Sequence, residues 1–363
     1  MKTYGFKILA YFMFIASLGC SDDEEAITTK DSTRNFLMGF TTWSFGPNIQ
    51  DVNDTYNFIA DNADVYVEHL DNFIPWNAYL SNQPLPTEFT DDIEGKASRR
   101  ISGSELILSI GLLNNNRDDL TEDIDGSTPL YSALNDDALV AAYTAHIDYL
   151  IGQFSPDYLV IAIEVNELWL RNQPLWTGYE LLIQEVIATT KSNYPNLKVG
   201  TSISLHNLFQ SEITNADGYI KTIWNHVNQM DFVGISYYPF LSNQNTVQDF
   251  QETLDFLHAN AQKPIAIVES GHIAEDLVVP NLNVSIGGNA IRQNQFLETL
   301  LANAQTQNYE TIAWWAHRDY DALWAVFPEE VKDIGQLWRD TGLLDENGEV
   351  RPALTTWRSN FTK

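Results

Sequence analysis

Two short stretches hold the residues best suited to chemistry. Ile161-Ala-Ile-Glu-Val-Asn-Glu167 and Pro264-Ile-Ala-Ile-Val-Glu269 are apolar, β-branched runs that each end on a glutamate. A run of this kind reads as a buried parallel strand that delivers a carboxyl to the rim of a sheet. Two carboxyls facing each other across a barrel mouth, one protonated and one ionised, are the minimum apparatus for cleaving a glycosidic bond. Glu167 and Glu269 are therefore the candidate catalytic pair. Glu164 lies an odd number of residues before Glu167, so a regular strand sends it to the opposite face. It reads as a structural residue paired with a helix cation.

These carboxyls need a scaffold, and the chain alternates strand-like with helix-like segments. The strand candidates are Phe36–Phe40, Asp64–His69, Glu105–Ile110, Tyr158–Ile163, Lys198–Ile203, Asp231–Ser236, Pro264–Val268 and Thr311–Trp315. Apolar residues recur at helical spacing over Asp136–Phe154, Gly178–Ser192, Val247–Asn260 and Ala290–Gln305. Strands and helices alternating in this way predict a (β/α)8 TIM barrel, a single α/β domain over residues 34–363. A doubly wound open sheet is the rival, but no Gly-rich phosphate loop follows the first strand. Three βα units of roughly 30 residues separate Glu167 from Glu269. That spacing puts both at the C-terminal ends of their strands, the face where barrel active sites form.

Asn166-Glu167 after a hydrophobic fourth strand, and Glu269 after the seventh, resemble glycoside hydrolase clan A. The segments Gly234-Ile-Ser-Tyr-Tyr-Pro-Phe240 and Lys263-Pro-Ile-Ala-Ile-Val-Glu-Ser270 resemble the family 53 endo-β-1,4-galactanases. The resemblance implies a retaining mechanism with Glu167 as acid/base and Glu269 as nucleophile. It implies that Asn166 holds the sugar 2-hydroxyl and that Tyr238, rather than Tyr237, hydrogen-bonds the nucleophile. Trp315 would match the clan's tryptophan beneath the sugar next to the scissile bond. One departure is clear. The clan often carries an arginine on the second strand, where this chain reads Val65-Tyr-Val-Glu-His69. The early strands also differ from those of a typical galactanase.

The chain has 10 tryptophans, and aromatic faces stack on sugar rings. Trp43, Trp76 and Trp169 follow strands one, two and four and are candidate platforms. His69, His206, His272 and His317 fall near strand ends, as in barrel metallohydrolases. No His-x-His follows the first strand and none of the pairs has helical spacing, so polar roles are preferred. His69 and His272 are the candidate substrate contacts. The mechanism requires no metal and no cofactor, and no loop has a recognisable calcium spacing.

Met1, Lys2 and Lys7, the apolar run Ile8–Leu18 and the following small residues read as a signal peptide over residues 1–19. The run is shorter than the ~20 residues needed to span a bilayer. Cys20 is the only cysteine, so no intrachain disulfide can form. Its position resembles that of the lipid-modified cysteine of bacterial lipoproteins, with Ser17 where a leucine is usual. Ser21-Asp-Asp-Glu-Glu25 resembles the acidic export tag of Bacteroidetes surface lipoproteins, and residues 20–33 read as an acidic tether. The expected location is the outer membrane, facing the cell surface or the periplasm, with secretion as the alternative. A formal net charge of −29 disfavours nucleic acid and anionic lipid as partners. Membrane attachment is expected only through Cys20, and the expected partner is a polysaccharide or oligosaccharide. A glycan-binding lipoprotein without catalysis, on the same barrel, is the alternative function.

Overall fold

In β-strands alternate side chains face opposite sides, and here that alternation sorts the chain into two apolar layers. The computed structural model describes residues 34–71, 73–209 and 213–361. The signal peptide expected over 1–19, Cys20 and the tether expected over 20–33 lie outside the described residues. From Arg34 onward the chain forms one compact unit. Its parallel strands are β1 (Leu37–Thr41), β2 (Val65–Leu70), β3 (Glu105–Ile110), β4 (Tyr158–Val160), β5 (Lys198–Gly200), β6 (Ser202–Ser204), β7 (Val233–Tyr237) and β8 (Ile265–Ser270). A small antiparallel hairpin, β9 (Leu277–Val279) and β10 (Val284–Ile286), precedes the last parallel strand, β11 (Thr311–Trp314).

The sheet order is β5-β4-β3-β2-β1-β11-β8-β7-β6. The segments at its two ends belong to one stretch of chain, interrupted only at Thr201, so the sheet closes on itself. Gly234 N–H donates to Thr201 O at 3.0 Å across that interruption. The result is a (β/α)8 barrel. Val65, Val67, Ile107, Tyr158, Val160, Ala266, Val268 and Ala313 fill its interior. Their neighbours Tyr66, Leu106, Leu108, Leu159, Ile267 and Ile312 point outward into the larger core beneath the helices. The helices include Asp137–Phe154, Trp176–Asn193, Val247–Asn260 and Ala290–Gln307. Thr246 and Asp249 form a reciprocal capping box at the start of the third of these.

Two irregularities govern the upper rim. Against β7, the register of β8 passes from Ile235↔Ile267 to Ser236↔Glu269, which is a bulge at Val268. Ile267 points outward, so unbroken alternation would send Glu269 outward as well. The extra residue turns Glu269 into the barrel mouth. The second irregularity follows β4, which ends at Val160. The chain continues by irregular bonds, Ile161 N to Gly200 O at 2.8 Å and Ser202 N to Ala162 O at 3.0 Å. Glu164 then adopts a left-handed φ of 50°, uncommon for a non-glycine residue. The helix Asn166–Asn172 starts immediately afterwards. Glu167 is thus on a helix rather than at a strand end, and the parity argument that set Glu164 aside does not apply.

Gly39 of β1 pairs with Val65 of β2, and a Cβ there would lie 2.0 Å from the Val65 carbonyl oxygen. Only glycine lets these two strands approach. The variant Gly39→Ala is expected to lose about 3 kcal/mol of stability or fail to fold. Urea unfolding checks this, and a midpoint equal to wild type would refute it.

Candidate active site

The two-residue period of β2 continues past Val65 and Val67 and aims His69 and Asp71 into the barrel mouth. From there the side chains form a continuous path. Glu269 Oε2 lies 3.5 Å from His69 Nδ1, and His69 Nε2 lies 3.9 Å from Asp71 Oδ2. Arg117, from the loop after β3, grips Asp71 with both ends of its fork, Nη1 to Oδ1 at 3.1 Å and Nη2 to Oδ2 at 2.6 Å. The same Nη2 reaches Glu164 Oε2 at 3.5 Å. Glu269, His69, Asp71, Arg117 and Glu164 therefore form one cluster at the C-terminal rim. β2 carries no arginine, and the guanidinium in this cluster comes from the following loop.

Local backbone prepares each member. Arg117 has a left-handed φ of 57° and also donates to the Leu113 and Asn114 carbonyl oxygens at 3.3 Å. A Cβ on Gly111 would sit 1.9 Å from Asp71 Oδ1, so a glycine at this position is what lets the carboxylate enter. The backbone N–H of Glu164 donates to Ser202 Oγ at 2.9 Å, which stabilises its unusual conformation.

The electrostatics separate the three acids. Burial, then the charge of Glu269, hold the Glu164 carboxyl well above the usual carboxylate range, against the pull of Arg117. Burial opposes the charge on Asp71, but Arg117 and His69 outweigh it and hold Asp71 far below that range. Burial alone would lower His69, yet the adjacent Asp71 and the charge of Glu269 raise it instead. Burial first, then Glu269 and Glu164, hold the Tyr238 phenol well above its ordinary value. Tyr238 therefore lies in the field of both carboxyls. The Trp315 ring stands edge-on to His69 with centroids 5.2 Å apart, and Trp43 packs on Trp315 at 5.2 Å. An acid of raised affinity for protons beside an ionised carboxylate, with an aromatic wall, can protonate a leaving group while a nucleophile attacks.

The structure brings Glu269, His69, Tyr238, Trp315 and Trp43 together and sets several other candidates apart. Glu167 accepts from Arg171 Nη2 at 3.1 Å and Asn207 Nδ2 at 2.9 Å. Its charge also raises Glu164, by less than that of Glu269. Asn166 is fully buried; it accepts from Ser204 N at 2.7 Å and donates to Tyr219 Oη at 2.8 Å. These bonds tie its helix to β6, so its amide is not offered to a sugar. His272 is also fully buried, among Phe240, Phe250 and Phe296, with Nδ1 beside the Ile273 carbonyl. It does not reach the mouth. Trp169 packs on Tyr219 at 5.0 Å, on the Glu167 helix. Trp76 is core, donating to Thr121 O at 2.8 Å. His206 and His317 are likewise buried in separate surroundings, beside Ser204 and Phe58.

Three members of the cluster escaped sequence reasoning. Glu164 was set aside by strand parity. Asp71 shares the parity of Val65, Val67 and His69, a usable signal. Arg117 sits in an irregular loop and carries no local signal.

The model of a sequence family described as Glycosyl hydrolase family 53 matches residues 152–357, more than half of the chain. Solved structures share the fold. The GH53 catalytic domain of Ignisphaera aggregans superposes with a TM-score of 0.58 at 18% identity, over 90% of this chain and 97% of that one. A structure from a study of two fungal β-1,4-galactanases gives 0.56 at 14% identity, over 84% and 90%. A GH5_18 protein from Bifidobacterium longum subsp. longum, in complex with Manβ1-4GlcNAc, gives 0.63 at 14% identity, over 89% and 77%. No curated protein sequence matches the chain. The family match runs from the approach to β4 into the last helix, Pro352–Asn360, taking in Glu164, Glu167 and Glu269. On that evidence the chain belongs to glycosyl hydrolase family 53 and carries a glycoside hydrolase barrel.

Proposed function

We propose that this protein is a retaining endo-β-glycanase, with β-1,4-galactan as its first substrate, in which Glu164 is the acid/base and Glu269 the nucleophile. The observation that carries the reading is the shared electrostatic environment of these two carboxyls at the barrel mouth. Family membership and the galactanases among the structural neighbours support the substrate class.

The reaction follows from the charges. Glu269 attacks the anomeric carbon as a carboxylate while Glu164 gives its proton to the departing glycosidic oxygen. Esterification of Glu269 removes the negative charge that had raised Glu164. Glu164, now ionised and a stronger acid than before, accepts a proton from water as that water attacks the glycosyl-enzyme. The water oxygen leaves with the sugar, Glu269 is released as a carboxylate and the retained proton restores Glu164. Tyr238 steadies Glu269, Trp315 supports the sugar ring and Trp43 extends the wall. Glu167 anchors the rim helix. Cys20 carries the lipid that holds the enzyme at the outer membrane.

Three outcomes test this assignment. Glu164→Gln is expected to lower kcat on galactan roughly 10²–10⁴-fold, with much less loss on an aryl glycoside whose leaving group needs no proton. Glu269→Ala should abolish turnover of both, whereas Glu167→Gln should lose less than about tenfold. The reverse ranking of Glu164 and Glu167 would return the acid role to Glu167.

The pH profile is a second test. The acid must be protonated, and its proton affinity is raised, so activity persists above the usual carboxylate range and falls as Glu164 ionises. Steady-state rates across pH should show that alkaline limb in wild type and not in Glu164→Gln acting on the aryl glycoside. An unchanged limb in the variant would assign it to another group.

Labelled palmitate fed to expressing cells is expected to enter wild type and not Cys20→Ser. Equal labelling of both would remove the anchor.

A further inference from the structure

Between the two carboxyls lies machinery that the proton and nucleophile steps do not use directly. His69 faces Asp71 on its own strand, Glu269 from β8 and Arg117 from the loop after β3. Beyond them Glu164 faces Arg117, Tyr238 shares the field of both glutamates, and Trp315 closes the remaining side. The His69 side chain is 13% exposed and that of Asp71 17%, so solvent does little to screen either. Asp71 is gripped by a two-pronged guanidinium on one side and faces an imidazole nitrogen at 3.9 Å on the other.

We propose that Asp71 is a positioning residue for the glycosidase reaction: held by the Arg117 fork, it sets a cationic His69 against Glu269 and keeps the guanidinium from closing on Glu164. This rests on the assignment of Glu164 and Glu269 above. His69 Nδ1 lies 3.5 Å from Glu269 Oε2, so a cation there faces the attacking carboxyl directly. Asp71 also draws the Arg117 guanidinium towards itself; the distance is 2.6 Å to Asp71 and 3.5 Å to Glu164. A guanidinium released from Asp71 would be free to close on Glu164 and strip its proton. One carboxylate therefore acts on both catalytic groups, through two different cations.

The test is Asp71→Asn, which keeps the shape and removes the charge. Without that charge, burial dominates at His69 and the imidazolium is lost at lower pH. Glu164, relieved of the Asp71 charge and open to Arg117, ionises at lower pH. The expected result is a kcat/KM profile whose alkaline limb moves to lower pH, with kcat down roughly tenfold or more at the optimum and KM within about threefold. A purely structural defect would lower the profile without moving that limb, and that outcome overturns the proposal. Gly111→Ala is the second variant, because its Cβ would displace the Asp71 carboxylate without altering any charge. It should move the limb in the same direction. The third readout needs no substrate. Histidine ring NMR, with the His69 signal assigned by its loss in His69→Gln, should show His69 titrating above the ordinary imidazole range in wild type and below it in Asp71→Asn. A wild-type His69 that titrates at or below the ordinary range overturns the proposal whichever variants fold. Failure of the glycosidase reading would instead show as full activity in Glu164→Gln and Glu269→Ala, with the His69 titration unaffected.

Discussion

Two carboxyls buried within each other's field cannot both be ionised cheaply, and the upper rim of this barrel is organised around that constraint. Asp71, Glu164 and Glu269 supply three potential negative charges, against which stand Arg117 and a protonated His69. With all five charged, the cluster carries one excess negative charge in poorly solvated surroundings. A single proton neutralises it. Asp71 is held by the tightest contacts, and Glu164, which has only the longer reach to Arg117, is the member whose proton affinity is raised. On the proposed assignment, the asymmetry between acid and nucleophile comes from unequal sharing of two cations, with no need for two chemically different acids.

Backbone geometry pays attention to the same constraint. Glu269 faces inward because β8 bulges at Val268. Glu164 and Arg117 both take left-handed conformations, unusual for side chains of their size. Asp71 fits because residue 111 has no Cβ. Such departures are costly in isolation and persist where surrounding structure holds them. Here regular strands filled with Val, Ile and Ala form the barrel below, and Asn166 clamps the rim helix to β6. Rigidity beneath lets the rim be irregular. The apolar filling also limits solvent from below, which sharpens each charge interaction above.

Much of the barrel was legible in the chain. Glu105–Ile110 and Val247–Asn260 are found with the expected bounds, because a β-branched run and a helical apolar period leave few alternatives. Lys198–Ile203 is less regular than its composition implied, since Thr201 interrupts it where the ring closes. At the rim, Glu269 and His69 lie near the ends of strands and Tyr238 and Trp315 directly after them, so their position at the mouth was legible. Asn166 and His272 read as ligand contacts and are instead buried structural groups, because residue type and nearness to a strand end do not reveal which way a side chain turns. The chain between Val160 and Asn166 misled most. A strand prolonged by its apolar composition would have ended on Glu167, whereas the actual strand stops at Val160 and Glu167 lies on the helix that follows.

Local pattern alone determined that this chain would alternate strands and helices, hide an apolar lining and raise carboxyls at one end of a barrel. Those properties depend on neighbours within a few residues, where periodicity and burial act directly. Which carboxyl would share a field with Glu269 was decided only by the tertiary structure. A bulge, a left-handed turn and an arginine from an adjacent loop set it, and each arises from contacts between segments distant along the chain, where no sequence period reaches.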